Sequence, residues 1–194
     1  MPQLCHPSCP RSLADIEVLE DGWRLSGAPA GSHRLWGRHF PSDCAQNAVP
    51  LHARENQEGS PNPFLEGARW YRFGAGRMAH LDDGEAPCGF ELPGRLFGNP
   101  QPEMGAPPMD GRVCFGPPHA ASGLPHPSEV GARGSALSGT AVELGGCETR
   151  DAVAIRICRC SYDGGATATL SYHLPYPAGC DRYRAGYCGS ALPQ

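Results

Sequence analysis

Ten cysteines constrain this 194-residue chain more tightly than any other feature. They are Cys5, Cys9, Cys44, Cys88, Cys114, Cys147, Cys158, Cys160, Cys180 and Cys188. The number is even, and no Cys-x-x-Cys pair occurs. Zinc ribbons and fingers use such pairs to bring two thiolates from one turn onto one ion, so that spacing is missing. The density is high for a cytosolic protein of this size, and disulfide pairing of all ten is the better reading. Ten cysteines allow on the order of a thousand full pairings, which leaves the connectivity open. Each bridge contributes about 2–4 kcal/mol by restricting the unfolded chain.

The rest of the composition explains why such staples are needed. Gly (26) and Pro (21) make up roughly a quarter of the residues. Inside helices they cost about 1 and 3 kcal/mol each, so a long helical bundle is excluded. There is no collagen period, no heptad and no apolar run near the roughly 20 residues of a membrane span. The formal charge is -4, and all 16 basic residues are Arg, a bias expected of GC-rich codons. Nothing in that balance points to nucleic acid as a partner. The length suits one domain, or one domain with an appendage.

Met1-Pro2-Gln3-Leu4-Cys5 has no basic n-region and no apolar h-region, so no secretory signal is visible. With so many cysteines, the expectation is a fragment of a larger exported chain, or a true start upstream. Asn47, Asn56, Asn62 and Asn99 are followed two positions on by Val49, Glu58, Phe64 and Gln101, so no N-glycosylation sequon exists.

Residues 1–43 read as an N-terminal appendage with a short hairpin, Ile16–Leu19 and Trp23–Leu25 around Asp21-Gly22. An isolated hairpin is marginal in water, so it must lean on something else. A helical turn or two is expected within 45–58, before Pro61 and Pro63. Arg69-Trp70-Tyr71-Arg72-Phe73 is an aromatic strand signal with Tyr71 and Phe73 on one face and Trp70 and Arg72 on the other. Aromatics on both faces predict a strand covered on both sides. From Gly84 to Ser135, 20 of 52 residues are Gly or Pro, a stretch expected to hold no long regular element, and 116–146 reads as a long loop.

The clearest local signal is a C-terminal hairpin. Val153, Ile155 and Ile157 alternate with polar residues, as do Leu170, Tyr172 and Leu174. A two-residue turn at Asp163-Gly164 sets Ile157 opposite Leu170, Ile155 opposite Tyr172 and Val153 opposite Leu174. Cys158 and Cys160 then project from the other face. Cysteines two apart on a strand are poorly placed to bond each other, so each is expected to hold down a covering segment through a different partner.

Motifs for chemistry are weak. Gly74-Ala75-Gly76-Arg77-Met78-Ala79 fits a loose G-x-G-x-x-A pattern, but Asp82-Asp83-Gly84 and Pro87 leave no room for the helix that would carry a pyrophosphate. Cys5-His6-Pro7-Ser8-Cys9 offers soft ligands without a fourth partner, and disulfides fit it better. His33, His39, His119 and His126 lack helical ligand spacing. Asp82-Asp83-Gly84-Glu85 lacks the alternating oxygens of a calcium loop and reads as a solvated turn. No G-x-S-x-G elbow is present. No catalytic, metal or cofactor-binding residue is therefore expected.

From Trp70-Tyr71-Arg72-Phe73, through Gly74-Ala75-Gly76 and Met78, the chain resembles the extracellular eight-cysteine domain of uromodulin and its relatives. Cys44 stands where that domain opens. The resemblance continues through Cys88-Gly89, Gly98-Asn99-Pro100 and Val113-Cys114. It is densest at the end, in Ile157-Cys158, the hairpin to Leu174-Pro175, Cys180 and Tyr187-Cys188. It would span residues 44–190. The cysteine expected soon after Met78 is missing, a Cys-Cys doublet is represented by Cys147 alone, Cys160 is extra, and the stretch from Cys114 to Cys147 is long. The family's bridges are therefore not transferred pair by pair. Some relatives act as decoys for bacterial adhesins through N-linked glycans, a role that does not carry over without a sequon.

The expectation is a small β-rich, disulfide-stapled domain with minor helix and long irregular Gly/Pro-rich loops. Its core would be Trp70, Tyr71, Phe73, Val153, Ile155, Ile157, Leu170, Tyr172 and Leu174. The resemblance implies a secreted or cell-surface, non-enzymatic interaction or adhesion module of a larger surface or matrix protein, with other extracellular proteins or glycans as partners. The alternative is an intracellular thiolate metal-binding protein.

Overall fold

The computed structural model describes residues 4–28, 42–44, 68–74, 76–84, 87–116, 152–180 and 183–192. Among them are nine strands and no α-helix; the only helical pieces are three-residue 3-10 turns. The strands are β1 (Glu17–Leu19), β2 (Arg69–Phe73), β3 (Arg77–Met78), β4 (Leu92–Leu96), β5 (Met109–Phe115), β6 (Ala152–Cys160), β7 (Thr169–Leu174), β8 (Ala185–Tyr187) and β9 (Gly189–Ser190). Seven form one curled, mixed sheet in the order β1-β2-β7-β6-β5-β4-β8, and β3 pairs with β9 beside it. The β1–β2 and β4–β8 pairs are parallel and the remaining pairs antiparallel. The fold is thus the β-rich, disulfide-stapled domain that the composition predicts. No helix among the described residues is long and apolar enough to cross a membrane.

Strand alternation sorts the side chains. Tyr71 and Phe73, Val113 and Phe115, Ile155 and Ile157, Tyr172 and Leu174, and Ala185 and Tyr187 all point to one buried face. Leu19, Met78, Leu92 and Leu96 complete this core, with Val153 and Leu170 packed at its edge. Phe73 meets Tyr172 edge-on at 5.6 Å, and Phe115 meets Tyr187 at 5.2 Å. Trp70 faces the opposite side, where it packs beside Cys5, Cys9, Cys158, Cys160 and Tyr162. It stacks edge-on against His173 at 5.2 Å and lies under the Arg156 guanidinium at 5.8 Å. Strand β2 is thus covered on both sides.

The Gly/Pro-rich stretch after Gly84 holds more regular structure than its composition predicts, including the seven-residue β5. Gly94 in β4, and Gly186 in β8 farther along the chain, act as platforms for rings. A Cβ on Gly94 would stand 2.3 Å from Phe115, and one on Gly186 would stand 2.1 Å from Phe90. Only glycine lets those rings lie flat on the strand.

The hairpin register differs from expectation by two residues. Ile157 faces Tyr172, Arg159 faces Leu170 and Cys160 faces Thr169. A two-residue slip keeps every side chain on its face, which is why the core assignment survives it. The cause is a longer turn at 161–168. Asp163 Oδ1 accepts from the Ser161 hydroxyl (2.8 Å) and the Thr167 N–H (2.9 Å), and Gly164 takes a positive φ of 73°.

The hairpin expected in residues 16–25 does not form. β1 pairs in parallel with β2, setting Glu17 opposite Tyr71 and Leu19 opposite Phe73, while Gly22–Arg24 is a 3-10 turn. A three-residue strand reaches a stable partner sooner in an aromatic strand already anchored by β7 than in a second short segment. The helical turns expected in 45–58, most of the 116–146 loop and Cys147 lie outside the described residues.

Four disulfides fasten this sheet: Cys5–Cys160, Cys9–Cys158, Cys44–Cys180 and Cys88–Cys188. Cys114 is also disulfide-bonded. Cys158 and Cys160 take separate partners, both from the N-terminal segment, which lies over the sheet face opposite the main core. Leu4 and Ser161 exchange two backbone hydrogen bonds at 3.0 and 2.9 Å, and Tyr162 Oη donates to Pro10 O at 2.9 Å.

Candidate functional site

A cavity of about 230 Å³ opens where the ends of β6 and β7 meet the turn after β3 and the 99–102 segment. Its floor is apolar: Leu96, Ile157, Leu170 and the Tyr172 ring. Its polar wall comes from Arg77, His80 and Asp83, with Arg159 across from them and Asn99 and Gln101 at the rim.

Local structure places each group. Arg77 sits in β3, held by pairing with Ser190 of β9, and a 3-10 turn at Leu81–Asp83 folds Asp83 back beneath it. Arg77 Nη1 and Nη2 donate to the two Asp83 carboxylate oxygens at 3.0 and 2.9 Å. The His80 N–H donates to Asp83 Oδ2 at 2.7 Å. Burial works to raise the Asp83 carboxyl, but the bonds from Arg77 and His80 more than offset it and hold it below the usual carboxylate range. Burial lowers the His80 imidazole and the neighbouring Arg77 charge lowers it further, so His80 is neutral at physiological pH. Burial pushes the Tyr172 phenol up to about 12, and its oxygen accepts the Met78 N–H at 3.1 Å. Tyr172 therefore stays protonated.

Arg159 occupies a core-facing position of β6, two residues beyond Ile157, opposite Leu170. Its Nε is buried and has no hydrogen-bond partner among the described residues. The site thus has a carboxylate already committed to one guanidinium, and a second guanidinium with hydrogen-bonding capacity left over. Chemically it can donate hydrogen bonds and positive charge to a small ligand resting on an apolar floor.

Of the residues weighed from the sequence, Arg77 and Asp83 line the cavity, Asp83 as a largely buried ion-pair partner and not as part of a solvated turn, and the others fall elsewhere or take ordinary roles. After Gly76 the chain enters β3, not the helix that a dinucleotide site requires. Asp82 is exposed on the 3-10 turn. Cys5, Cys9 and Cys160 bring their sulfurs within 4.8 Å of one another, as members of two adjacent disulfides. His33, His39, His119 and His126 lie outside the described residues. The cavity itself went unread in the sequence. The one signal was Arg159, a charge at the position where the apolar alternation of 153, 155 and 157 should continue.

Comparison of this chain with protein-family models, with curated proteins and with solved structures finds no match.

Proposed function

We propose that the chain is a non-enzymatic extracellular interaction module of the uromodulin-like eight-cysteine type, part of a larger surface or matrix protein. One observation carries this reading: four disulfides among the described residues tie together segments 100 to 155 residues apart, fastening the N-terminal and central segments to the C-terminal part of the chain. Bridges of that number and span belong to oxidising compartments. The Trp70–Phe73 stretch where the resemblance begins and the C-terminal hairpin where it is densest are also neighbours in space, with Trp70 opposite His173 and Tyr71 opposite Tyr172. Its partners would be other extracellular proteins or glycans.

Alkylation of the native protein without reductant, read by intact mass, tests this. The expected product carries no alkyl groups. Addition at several cysteines would remove the foundation of the proposal.

The sulfur cluster of Cys5, Cys9 and Cys160 favours one second reading, a thiolate metal site in a reduced, intracellular form of the chain. Thiolates gathered this closely suit zinc or copper(I). Elemental analysis of the chain purified under reducing conditions separates the two: stoichiometric metal supports the second reading, and none supports the first.

A further inference from the structure

We infer that the cavity above β6 and β7 binds an acidic monosaccharide, taking its carboxylate on Arg159 and its hydroxyls on Asn99 and Gln101. This deepens the proposed function and rests on it, by naming the ligand class of an extracellular module.

Arg159 makes the argument. Its Nε is buried without a hydrogen-bond partner among the described residues. A buried donor left unmade is costly, and of the buried unpartnered side-chain donors among the described residues Arg159 is the one that lines the cavity, where a ligand can reach it. The nearest carboxylate in the cavity, Asp83, is already gripped by both terminal nitrogens of Arg77. The Asp83 charge also reaches Arg95, which lies outside the cavity lining and whose Nε is likewise buried and unpartnered among the described residues. Within the lining Arg77 and Arg159 therefore stand against one carboxylate, Asp83, and the local balance leaves room for an anion. The planar guanidinium matches a carboxylate in geometry as well as charge.

The remaining walls narrow the anion. Asn99 and Gln101 present amides at the mouth, joined by a Gln101 Nε2 to Asn99 Oδ1 bond of 2.8 Å, and each keeps a donor or acceptor for hydroxyl groups. Leu96, Leu170 and Tyr172 give a flat apolar floor suited to the C–H face of a pyranose ring. At about 230 Å³ the cavity lies below the drug-sized range and fits a ligand of single-sugar dimensions.

The test is an NMR titration of the oxidised full chain with glucuronate, glucose, acetate and sulfate in parallel. Glucuronate should shift the amides of Leu170, Tyr172 and Gln101, and glucose should leave them in place. Arg159→Gln should weaken glucuronate by about tenfold, the loss of a charged hydrogen bond. Gln101→Ala, at an exposed position, should weaken it by about threefold and leave acetate unaffected. If Arg159→Gln does not fold, Gln101→Ala decides the matter. Equal shifts from acetate or sulfate and glucuronate would overturn the sugar assignment, and undiminished binding by the folded Arg159 variant would overturn the site. Alkylation mass on the same sample keeps the two proposals apart. Silence toward glucuronate in a fully bridged chain sinks the ligand alone, whereas free thiols sink the module.

Discussion

Arg24 and Asp43 meet end to end in the interior, Nη1 and Nη2 lying 2.7 and 2.5 Å from the two carboxylate oxygens, with both residues at most 1% exposed. Asp43 Oδ2 also accepts the Tyr187 N–H at 3.0 Å, and Arg24 Nε reaches Asp21 at 3.2 Å. Burial alone would lower the Arg24 guanidinium, but Asp43 and Asp21 together raise it above its usual value. The pair locks the residue before Cys44 onto β8, and so aims Cys44 at Cys180.

Asp43→Ala should therefore be among the most damaging single changes. It leaves a buried guanidinium without its main carboxylate and orphans the Tyr187 N–H, a loss of about 3–5 kcal/mol. Arg24→Met with Asp43→Leu should cost less than Asp43→Ala alone, because the charge left without its partner, Asp21, is partly exposed and not buried. The Tyr187 N–H stays orphaned in that double variant, so about 1–3 kcal/mol of the loss should persist. Urea unfolding midpoints of the three proteins give the comparison, and equal losses would show that pairing does not dominate here.

The bridges Cys5–Cys160 and Cys9–Cys158 are nested, spanning 155 and 149 residues. Either alone closes the long loop, and the second then closes only the short ring through residues 5–9 and 158–160. By loop-closure entropy the first contributes about 5 kcal/mol and the second about 2.5 kcal/mol. Replacing one bridge by a pair of alanines should cost about 2.5 kcal/mol, and replacing both about 7 kcal/mol, more than twice the single loss. Denaturant midpoints of the two single-bridge variants and the variant lacking both measure this. Simple additivity would mean that the covering segment is held by its other contacts.

Those contacts mark how far the sequence could be read. The apolar alternation in β6 and β7 and the aromatic signal of β2 identified six buried core residues, because period-two patterning survives any tertiary surroundings. Faces were legible where register was not: the Asp163-Gly164 turn gave a pairing two residues off, since Asp163 closes a wider loop through its side chain. Core positions in β4, β5 and β8 were not legible. Their glycines look like breakers in a composition count, and only the rings of Phe115 and Phe90 show why they sit in strands. The cavity was hidden for a related reason. Arg77, Asp83 and Gln101 are brought to Arg159 by strand pairing between segments far apart in the chain, which no local pattern encodes.

The ring platforms make a separate prediction. Gly94→Ala and Gly186→Ala each drive a methyl into an aromatic ring at 2.3 and 2.1 Å, too close for any small adjustment. Each should cost about 1–3 kcal/mol through displaced rings and strained strands. Gly22→Ala, with nothing within 4 Å of the new methyl, should change stability by less than about 0.5 kcal/mol. Thermal melts of the three proteins rank them, and a neutral Gly186→Ala would mean that Phe90 does not hold its place.

Asp163 supplies the acid dependence. Hydrogen bonds from Thr167, then from Ser161, lower its carboxyl from 3.8 to about 2. A group depressed by folding favours the folded state once it is ionised in the unfolded chain, above about pH 3.8, and that contribution disappears as pH falls through about 2. Asn at this position keeps an oxygen for the Thr167 N–H but cannot ionise. Asp163→Asn should therefore be less stable than the parent near neutrality, and the two should converge between about pH 4 and pH 2. The side chain is fully solvated, so the difference should be small and should shrink in high salt. Paired urea midpoints across that interval read it. A gap that persists unchanged below pH 2 would show that the difference does not come from ionisation of the carboxylate.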